Sequence, residues 1–371
     1  MRILFIRTTG GVSGAEMYNV YLLKALERVR GVSVHLLTNY IPFLKKLKKE
    51  RIPASSVYSP FPEAGTNREL VVAMLWFYIS LVILMVAIKR AEKGIRFDTI
   101  VLESMTEKLF LSSFLTWFGY RVVWIEHGPL FITDRSTFVK QLYVRKSRYA
   151  DAIIAVSKDT KKDLVTGGVA AEKVHVVYIG MEKIASPSAR NDRKYRQSTV
   201  GFLGTVTEEK GIVEFVEVAT LLSKTYPTLR FLVVGGGPML SWLKKEIRTV
   251  GIQNSVTLTG HTDDVQKYLS KMDILFSPTT HNEGLSLSIL EALSAGVVVV
   301  ARDIGGNREL VTNNKTGFLY TGGAEKSYRI LDRIISGKTK TANIRNAAYE
   351  QIQNTFLMKK QADLFIDIFH G

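Results

Sequence analysis

Cysteine is absent from this chain of 371 residues. The absence excludes a disulfide framework, a thiolate metal site and a cysteine nucleophile, and it fits a reducing compartment. Proline is scarce, with 9 residues, whereas 46% of the residues are hydrophobic. A chain this long and this apolar is too hydrophobic to be disordered, and we expect two domains of ordinary size. The first residues run straight into a glycine-rich turn without a small-residue cleavage site, so we expect a cytoplasmic protein.

Acidic residues are the scarcer charge. The 34 Asp and Glu residues are outnumbered by 50 Lys and Arg residues, which gives a formal net charge of +16. The excess is concentrated in the first half, because residues 1–180 carry 26 basic and 15 acidic side chains. This asymmetry indicates an anionic surface or substrate that meets mainly the first half. Nucleic acid, phospholipid and diphosphate compounds all carry the required charge, and charge alone does not choose among them.

Short β-branched runs alternate with helical stretches along the chain. Such alternation is typical of parallel sheets that are covered by helices on both faces. The predicted strands lie at 3–6, 33–38, 99–103, 122–126, 152–157, 174–179, 199–204, 230–235, 255–260, 273–278 and 296–301. We therefore predict an α/β protein of two doubly wound, Rossmann-like parallel-sheet domains that face a central cleft.

A polar, basic segment divides the two halves of the chain. Residues 182–198 (EKIASPSARNDRKYRQS) contain a proline and little apolar surface, which predicts an interdomain linker. The linker separates an N-terminal domain, residues 1–181, from a C-terminal domain, residues 199–340. Residues 341–371 have the apolar spacing of a final helical stretch.

A glycine-rich turn follows the first predicted strand. Gly10, Gly11 and Gly14 lie between that strand and a predicted helix. Glycines there let backbone amides approach an anion, and the N-terminus of the helix adds positive potential. The turn is therefore a candidate phosphate site, and a tight turn without any ligand is the alternative interpretation.

Two glutamates lie eight residues apart in the segment 281–310. Glu283 belongs to a loop after a predicted strand, and Glu291 lies in a helix predicted from about Ser286 to Leu293. The helix N-terminus between them presents unpaired amides that suit a diphosphate. One carboxylate is then placed for a sugar and the other for a ribose at the opposite end of the ligand. The pair alone is also compatible with a solvated helix glutamate and a loop charge.

This segment resembles the E-x7-E signature of retaining GT-B glycosyltransferases, specifically glycosyltransferase family 4. Other stretches agree with that family in order and spacing, and the resemblance covers residues 1 to about 320. These stretches are GGVSGAE (10–16), IEHGP (125–129), AVSKDTKKDL (155–164), GFLGTVTEEKGI (201–212), LVVGGGP (232–238), TGHTDDVQKYLSKMDILFSPT (259–279) and GGNRELV (305–311).

The resemblance implies a nucleotide-sugar donor that is held mainly by the second domain. It implies that His127 and Glu283 act in catalysis, His127 by reaching the reacting sugar or the acceptor and Glu283 by gripping the transferred sugar. Glu291 would bind the ribose hydroxyls, and Lys210 would face the diphosphate as a point charge. The donor-binding set that the resemblance implies is Gly11, Thr205, Lys210, Asn282, Gly284, Leu285, Ser286 and Glu291.

The resemblance also implies a mechanism and a chain path. The acceptor hydroxyl would attack the face that the nucleotide leaves, through an oxocarbenium-like transition state, so the anomeric configuration is retained. Catalysis is then mainly positioning and stabilisation of the departing diphosphate. No aspartate-rich metal motif belongs to this pattern, so we expect no cofactor and no obligatory metal. The last helix would return to the N-terminal domain.

The chain departs from the family pattern at two positions. Thr205 lies where many relatives have an arginine that pairs bidentately with the diphosphate. Val298 lies where a proline is common, which we expect to matter little. Either the affinity for the donor is lower, or another basic residue such as Arg302 or Arg308 replaces the arginine; the sequence does not decide between these outcomes.

Residues 70–88 contain no charge over 19 positions. As a helix they would span about 28 Å, close to the hydrocarbon thickness of a bilayer. Predicted strands of one sheet lie before and after them, however, and a single crossing would divide that sheet between two sides of the membrane. We therefore expect a helix that packs on the sheet and exposes excess apolar surface to lipid or to a partner.

A basic amphipathic segment, FLKKLKKER, lies at 43–51. We predict that Phe43, Lys45, Lys46, Lys48 and Lys49 contact an anionic membrane surface. A solvated helix with a narrow apolar seam is the alternative. Peripheral attachment to the inner face of the cell membrane, with a lipid-linked or glycan acceptor, follows from the first interpretation, and a soluble acceptor stays open.

Two other classes of function share this architecture. A UDP-N-acetylhexosamine epimerase lacks the E-x7-E context, and a catalytically silent homologue that acts as a partner subunit is suggested only by Thr205. Nucleic-acid binding is disfavoured because the basic residues form no recognisable reader module.

Overall fold

The computed structural model describes residues 1–8, 14–58, 68, 71, 77–132, 136–182 and 198–370, which form two compact units. Unit 1 comprises Met1–Gly180 with Met358–Gly371, and unit 2 comprises Met181–Leu357. Each unit is built on one sheet in which every strand pairing is parallel. The predicted α/β class with two doubly wound sheets is therefore confirmed. Most of the predicted linker, residues 183–197, lies outside the described residues.

Unit 1 has seven strands in the order β3-β2-β1-β4-β5-β6-β7. They are β1 (Arg2–Arg7), β2 (Ser33–Thr38), β3 (Ala54–Ser56), β4 (Thr99–Leu102), β5 (Arg121–Glu126), β6 (Ala152–Ala155) and β7 (Val174–Val176). The central strands are apolar along their whole length because helices cover both faces. The reversal of strand order beside β1 is the kind of position at which ligands bind in open α/β sheets.

The helices of unit 1 are α1 (Gly14–Glu27), α2 (Ile41–Lys49), α3 (Phe77–Glu92), α4 (Met105–Trp117), α5 (Thr137–Ser147), α6 (Lys158–Thr166) and α14 (Met358–His370). Serine caps fix two of the starts: the Ser136 side chain accepts a hydrogen bond from Val139, and Ser157 accepts one from Thr160. Trp124 of β5 is fully buried in the core, with its ring 5.0 Å from that of Tyr143.

Unit 2 has six strands in the order β10-β9-β8-β11-β12-β13. They are β8 (Thr199–Leu203), β9 (Arg230–Val234), β10 (Val256–Leu258), β11 (Ile274–Ser277), β12 (Val298–Arg302) and β13 (Phe318–Tyr320). Its helices are α7 (Ile212–Thr225), α8 (Leu240–Thr249), α9 (Val265–Leu269), α10 (Leu287–Ser294), α11 (Asn307–Leu310), α12 (Ala324–Ile335) and α13 (Ala342–Thr355). Aromatic packing of Phe215 against Phe202, Phe231 and Phe276 forms the centre of its core.

The end of the chain is divided between the units at residue 358, not at residue 341 as the sequence predicted. Helix α13 stays on unit 2, where Gln351 donates hydrogen bonds to the carbonyl oxygens of Glu309 and Leu310. Helix α14 packs in unit 1, with the Phe369 ring 6.2 Å from that of Phe5. The observed boundary differs from the predicted one because residues 341–371 form two separate helices, α13 and α14. The apolar spacing predicted a single helical stretch there.

Within the described part of the chain, no helix is long and apolar enough to cross a membrane. Helix α3 packs on the sheet of unit 1 through Leu84 and Ile88. Its exposed side chains include Ile79, Val82 and Val86, which are spaced three and four residues apart and form one outward apolar stripe. This is the excess apolar surface that the sequence predicts for 70–88, although most of that run before Phe77 lies outside the described residues.

The prediction that Phe43 contacts a membrane is wrong. Phe43 is 1% exposed, and Leu44 and Leu47 on the same face of α2 are buried as well. The apolar side of this helix therefore packs inside unit 1, which is the alternative of a solvated helix with a narrow apolar seam. Membrane contact by Lys45, Lys46, Lys48 and Lys49 stays a prediction, but the large apolar side chain that α2 leaves exposed is that of its first residue, Ile41.

Candidate functional site

Loops from four neighbouring strands of unit 2 meet at the carboxyl edge of its sheet. Such an edge is where open α/β sheets bind ligands. The loop after β8 is held by backbone bonds to the loop after β9, from Gly204 N to Val234 O at 3.0 Å and from Val206 N to Gly236 O at 2.9 Å. Thr205 lies exposed at the tip of this arrangement. A loop held by backbone bonds therefore presents Thr205 at this edge, and its part in donor binding stays a prediction.

Close backbone contact explains the glycines of this edge. Gly235 has φ 141°, and a Cβ there would collide with the carbonyl oxygen of Gly204. Gly211 has φ 79°, and a Cβ there would collide with the carbonyl oxygen of Pro278. Only glycine tolerates both the positive φ and the close contact with a neighbouring carbonyl at these two positions. The loops that carry Thr205 and Lys210 are thus packed directly on their neighbours.

Lys210 and Glu283, predicted from distant parts of the sequence, form an ion pair. Their loops are also joined by the backbone, because Thr280 N donates to Glu209 O at 2.8 Å. The Lys210 side chain is about one-third exposed and that of Glu283 is more buried. Unit 2 therefore places a cation and a carboxylate together at the carboxyl end of β11.

Helix α10 begins directly beyond this ion pair. Its N-cap residue, Ser286, makes no side-chain cap, and the hydroxyl oxygens of Ser286 and Ser288 lie 3.0 Å apart. The first-turn amides thus receive no bond from the Ser286 hydroxyl, and the helix end carries positive potential. The loop before it, with Asn282, Gly284 and Leu285, is supported by a bond from Gly306 N to Glu283 O at 3.2 Å.

Glu291 lies in the middle of α10 and is 5% exposed. It is therefore not the solvated helix glutamate that the pair alone left open. The two basic residues that could replace the missing arginine at 205 are engaged elsewhere. Arg302 pairs with Glu214 and lies over the Tyr320 ring at 5.3 Å, and Arg308 pairs with Asp303.

A second group of polar residues lies at the carboxyl edge of the sheet in unit 1. Glu103, directly after β4, is buried and accepts three hydrogen bonds. Their donors are Arg7 Nη1 at 2.9 Å, Asn19 Nδ2 at 2.7 Å and His127 Nε2 at 3.1 Å. Arg7 also pairs with Glu16 at 2.7 Å. The turn with Gly11 lies outside the described residues, so this edge is described without it.

Burial alone would raise the pKa of Glu103. Hydrogen bonds from His127 and Asn19 and the positive charge of Arg7 outweigh burial and lower this pKa to about 2. Glu103 is therefore a carboxylate at neutral pH, and a carboxylate only accepts hydrogen bonds. His127 Nε2 must carry the proton of their shared bond, which leaves Nδ1 as the ring nitrogen that is not committed to Glu103.

The surroundings of His127 are rigid. Its ring packs edge-on against that of Tyr18, with centroids 5.1 Å apart. The loop that follows it is held by the Asp163 carboxylate, which accepts from the backbone amides of Leu130, Phe131 and Ile132 at 2.6 to 3.1 Å. His127 is thus fixed in orientation while part of its ring stays exposed.

A buried ion pair lies beside His127. Lys108 Nζ contacts Glu126 Oε1 at 2.5 Å, and the Tyr143 hydroxyl donates to the same oxygen at 2.6 Å. Burial lowers the pKa of Lys108, and the Glu126 charge acts in the opposite direction. Sequence analysis missed Arg7, Glu103, Lys108 and Glu126. The available signal was a glutamate directly at the end of two apolar strands, TIVLE and VVWIE.

Comparison with known proteins identifies two family matches that follow one another along the chain. Residues 12–182 match the family described as Glycosyltransferase Family 4, and residues 187–351 match the family described as Glycosyl transferases group 1. Each match falls on one half of the chain, and together they include every predicted site residue except Gly11.

Curated relatives match over part of their length. The amylovoran biosynthesis glycosyltransferase AmsK of Erwinia amylovora is 24% identical over 225 residues, 58% of this chain and 55% of that protein. A GDP-mannose-dependent alpha-(1-6)-phosphatidylinositol monomannoside mannosyltransferase of Mycobacterium tuberculosis is 32% identical over 161 residues, 40% of each protein. The chain thus spans about half the length of the curated relatives it matches.

Among solved structures, HepE of Anabaena in complex with UDP-glucose matches with a TM-score of 0.80 at 21% identity, covering 99% of both chains. This similarity shows a shared fold over the whole chain. The fold is that of the GT-B glycosyltransferases, as the sequence resemblance implies.

Proposed function

Because this chain belongs to the GT-B glycosyltransferases of family 4 type, we propose that it transfers a hexose or N-acetylhexosamine from a nucleotide-diphosphate sugar to a hydroxyl acceptor. The observation that carries this proposal is the Lys210–Glu283 ion pair beside the uncapped N-terminus of α10. A cation and a helix N-terminus suit a diphosphate, and an adjacent carboxylate suits sugar hydroxyls.

Donor binding exchanges the partners of this ion pair. The diphosphate takes Lys210 and the first-turn amides of α10, and Glu283 is released to accept hydrogen bonds from the transferred sugar. The backbone of Gly284 and Leu285 lines the same loop, and Glu291 accepts from the ribose. A UDP-sugar is the donor that we favour, in line with the UDP-glucose complex of HepE.

Transfer proceeds with retention of the anomeric configuration. The acceptor hydroxyl attacks the face that the diphosphate leaves, the bond from the sugar C1 to the diphosphate oxygen breaks, and the hydroxyl proton passes to an oxygen of the departing diphosphate. Lys210 with the helix N-terminus stabilises the negative charge of this leaving group. His127 Nδ1 accepts a hydrogen bond from a hydroxyl of the reacting sugar or of the acceptor. We assign no metal ion to this chemistry, and activity is expected to persist in EDTA.

The acceptor that we favour is a glycan or a lipid-linked saccharide at the inner face of the cell membrane. Support comes from the names of the relatives, which include amylovoran biosynthesis and a phosphatidylinositol monomannoside acceptor. It also comes from the positive charge of residues 1–180 and the exposed apolar stripe of α3.

Release of nucleotide from a panel of UDP- and GDP-sugars tests the proposal, with NMR of the product to determine its anomeric configuration. Glu283→Ala abolishes release, whereas Glu325→Ala, an exposed glutamate of α12 paired only with Arg329 among the contacts described, does not. Inversion of the anomeric configuration would contradict retention. If no nucleotide sugar shifts the unfolding temperature, the chain is instead a silent homologue, which the threonine at position 205 would then explain.

A further inference from the structure

Aromatic and basic side chains share one exposed surface of unit 1, at the amino ends of β4, β5 and β6. Trp117 at the end of α4 is 79% exposed, and its ring lies 4.8 Å from that of Phe118. Ile95, in the loop before β4, is 67% exposed. Two exposed aromatic side chains in contact, such as Trp117 and Phe118, mark interaction sites more often than single exposed residues do.

Basic residues surround these apolar side chains. The Arg96 guanidinium donates to the carbonyl oxygen of Phe118 and lies 4.2 Å from the centroid of the Tyr120 ring. Arg148, directly after α5, lies 4.8 Å from the centroid of the Tyr149 ring, and Lys146, in the last turn of α5, lies 5.6 Å from the same centroid. The Thr116 hydroxyl donates to Tyr149 O at 3.0 Å, which joins α4 to the residues that follow α5. We name this surface the tryptophan patch: Ile95, Arg96, Trp117, Phe118, Lys146, Arg148 and Tyr149.

The tryptophan patch carries more positive than negative charge. It contains three cations and no carboxylate, and the exposed Arg145 lies beside it. Two exposed carboxylates lie at the same edge and reduce this charge without cancelling it: Asp98 accepts from Arg2 N, and Asp151 accepts from Val122 N. The hydrogen bond from Arg148, together with the positive charges around it, lowers the pKa of Tyr149. An open hollow of about 550 Å³ between Trp117 and Tyr149 completes the surface.

We propose that the tryptophan patch is the surface by which this protein attaches to anionic phospholipid. Trp117 and Phe118 enter the boundary between headgroups and acyl chains, where aromatic side chains are favoured. Arg96, Lys146 and Arg148 contact the phosphates, and their aliphatic stems stay on the aromatic rings. This inference deepens the membrane attachment of the proposed function, but it is independent of donor chemistry. It also assigns the apolar contact that α2 does not provide.

Co-sedimentation with vesicles tests the patch directly. The protein binds phosphatidylcholine vesicles that contain phosphatidylglycerol, and binds phosphatidylcholine vesicles only weakly. Trp117→Ser weakens binding about tenfold or more, because one large apolar side chain no longer enters the interface. Arg96→Gln with Arg148→Gln weakens binding about 30-fold, since each basic residue near an anionic surface contributes about fivefold.

Matched variants on α2 compare the tryptophan patch with the predicted contact of the α2 lysines. Ile41 is an exposed apolar residue and Lys45 and Lys48 are exposed cations of the same unit. Because the lysines of α2 are themselves predicted to contact the membrane, Ile41→Ser, and Lys45→Gln with Lys48→Gln, are expected to reduce binding, but by less than the matched variants of the tryptophan patch do. All positions changed are exposed, so the variants fold, and an unchanged unfolding temperature verifies this.

Three results would overturn the inference. Undiminished binding of Trp117→Ser would exclude the patch, and loss of binding in the α2 variants alone would move the contact to α2. A wild-type protein that ignores anionic vesicles but self-associates through Trp117 would make the patch a protein interface. Nucleotide release from the donor is measured in the same variants, so a failure of membrane binding is distinguished from a failure of the proposed reaction.

Discussion

Glu103 and His127 share one hydrogen bond, 3.1 Å from Oε2 to Nε2, although 24 residues separate them in the chain. Glu103 is itself held by Arg7 and Asn19, so the orientation of His127 depends on a carboxylate that is fixed from two other elements. In the proposed reaction Glu103 is a positioning residue and His127 contacts the sugar.

Glu103→Gln is expected to lower kcat about 100-fold with little change in the affinity for nucleotide, because misorientation of a reacting group affects mainly the chemical step. Steady-state kinetics with donor titration measures both quantities. Glu107→Gln is the matched control, since Glu107 is equally buried but bonds to Thr8 rather than to His127. An equal loss in both variants would mean that burial, and not the bond to His127, explains the effect.

Glu103 also predicts a stability that depends on pH. Its pKa is about 2 in the folded protein, below the ordinary value of about 4.3 for an unfolded chain. Its contribution is therefore fully present above that ordinary value and is lost as the pH falls from about 4.3 to about 2, by about 3 kcal/mol. Urea unfolding at several pH values measures this.

The variant Glu103→Gln should show a flatter acid limb than wild type. Glu107 acts with the opposite sign, because burial raises its pKa and protonation stabilises the folded form. Glu107 is present in both proteins, so its contribution cancels when the free energy of unfolding of Glu103→Gln is subtracted from that of wild type at each pH. If the free energies of unfolding of wild type and Glu103→Gln fell in parallel between about pH 5 and about pH 2, the low pKa would not belong to Glu103.

Lys210→Met is expected to weaken nucleotide-sugar binding about tenfold to 100-fold, since a charge-assisted hydrogen bond to a phosphate contributes about 1.5–3 kcal/mol. Isothermal titration with UDP measures the affinity. Arg308→Ala is the control, because this exposed cation of the same unit pairs with Asp303. If both variants bind alike, Lys210 does not face the diphosphate.

Gly235→Ala should destabilise unit 2 by more than about 2 kcal/mol and weaken donor binding, because the Cβ would collide with the Gly204 carbonyl at φ 141°. Gly251 has φ 76° and nothing within 4 Å of a Cβ, so Gly251→Ala should cost only about 1 kcal/mol of backbone strain. Chemical denaturation compares the two. A similar loss of stability in the two variants would show that the contact between a Cβ at position 235 and the Gly204 carbonyl is easily relieved.

Phe365→Ala should destabilise unit 1 by about 3–5 kcal/mol, since this side chain of α14 is fully buried against α1. Leu364, its neighbour, is 45% exposed, and Leu364→Ala should cost less than about 1 kcal/mol. Thermal unfolding of both variants measures the difference. A small effect at Phe365 would mean that α14 contributes little to unit 1.

The sheets were readable from the sequence because a strand buried on both faces is a continuous β-branched run, as in IVLE and VVVVA. The two strands that were missed, β3 and β13, are three residues long. The sequence of β3, Ala-Ser-Ser, has no apolar β-branched residue at all. Such edge strands form because a neighbouring strand offers hydrogen bonds, which the sequence does not display.

The candidate site was readable only in part. The residues of the E-x7-E segment are local, and their loop and helix lie where the sequence predicted them. The buried charges of unit 1 were not predicted, because each depends on a partner far along the chain. Lys108 in the helix segment MTEKLF resembles any exposed lysine until Glu126 and the Ile125 carbonyl are known to surround it. Helix α2 is amphipathic, as the sequence predicted. The spacing of its apolar residues, however, does not distinguish a side chain covered by protein, as Phe43 is, from one covered by lipid.

Strand β5 joins the tryptophan patch to the histidine: it begins just after Phe118 and Gly119 and ends at Glu126. Six residues of strand measure about 20 Å. Trp117 and His127 therefore lie roughly one strand length apart, so a headgroup in contact with Trp117 does not also touch the ring of His127. With β5 upright on the bilayer, we expect the glycosylated hydroxyl to belong to the outer end of a saccharide several units long, and we propose that the enzyme extends a growing chain rather than adding its first sugar.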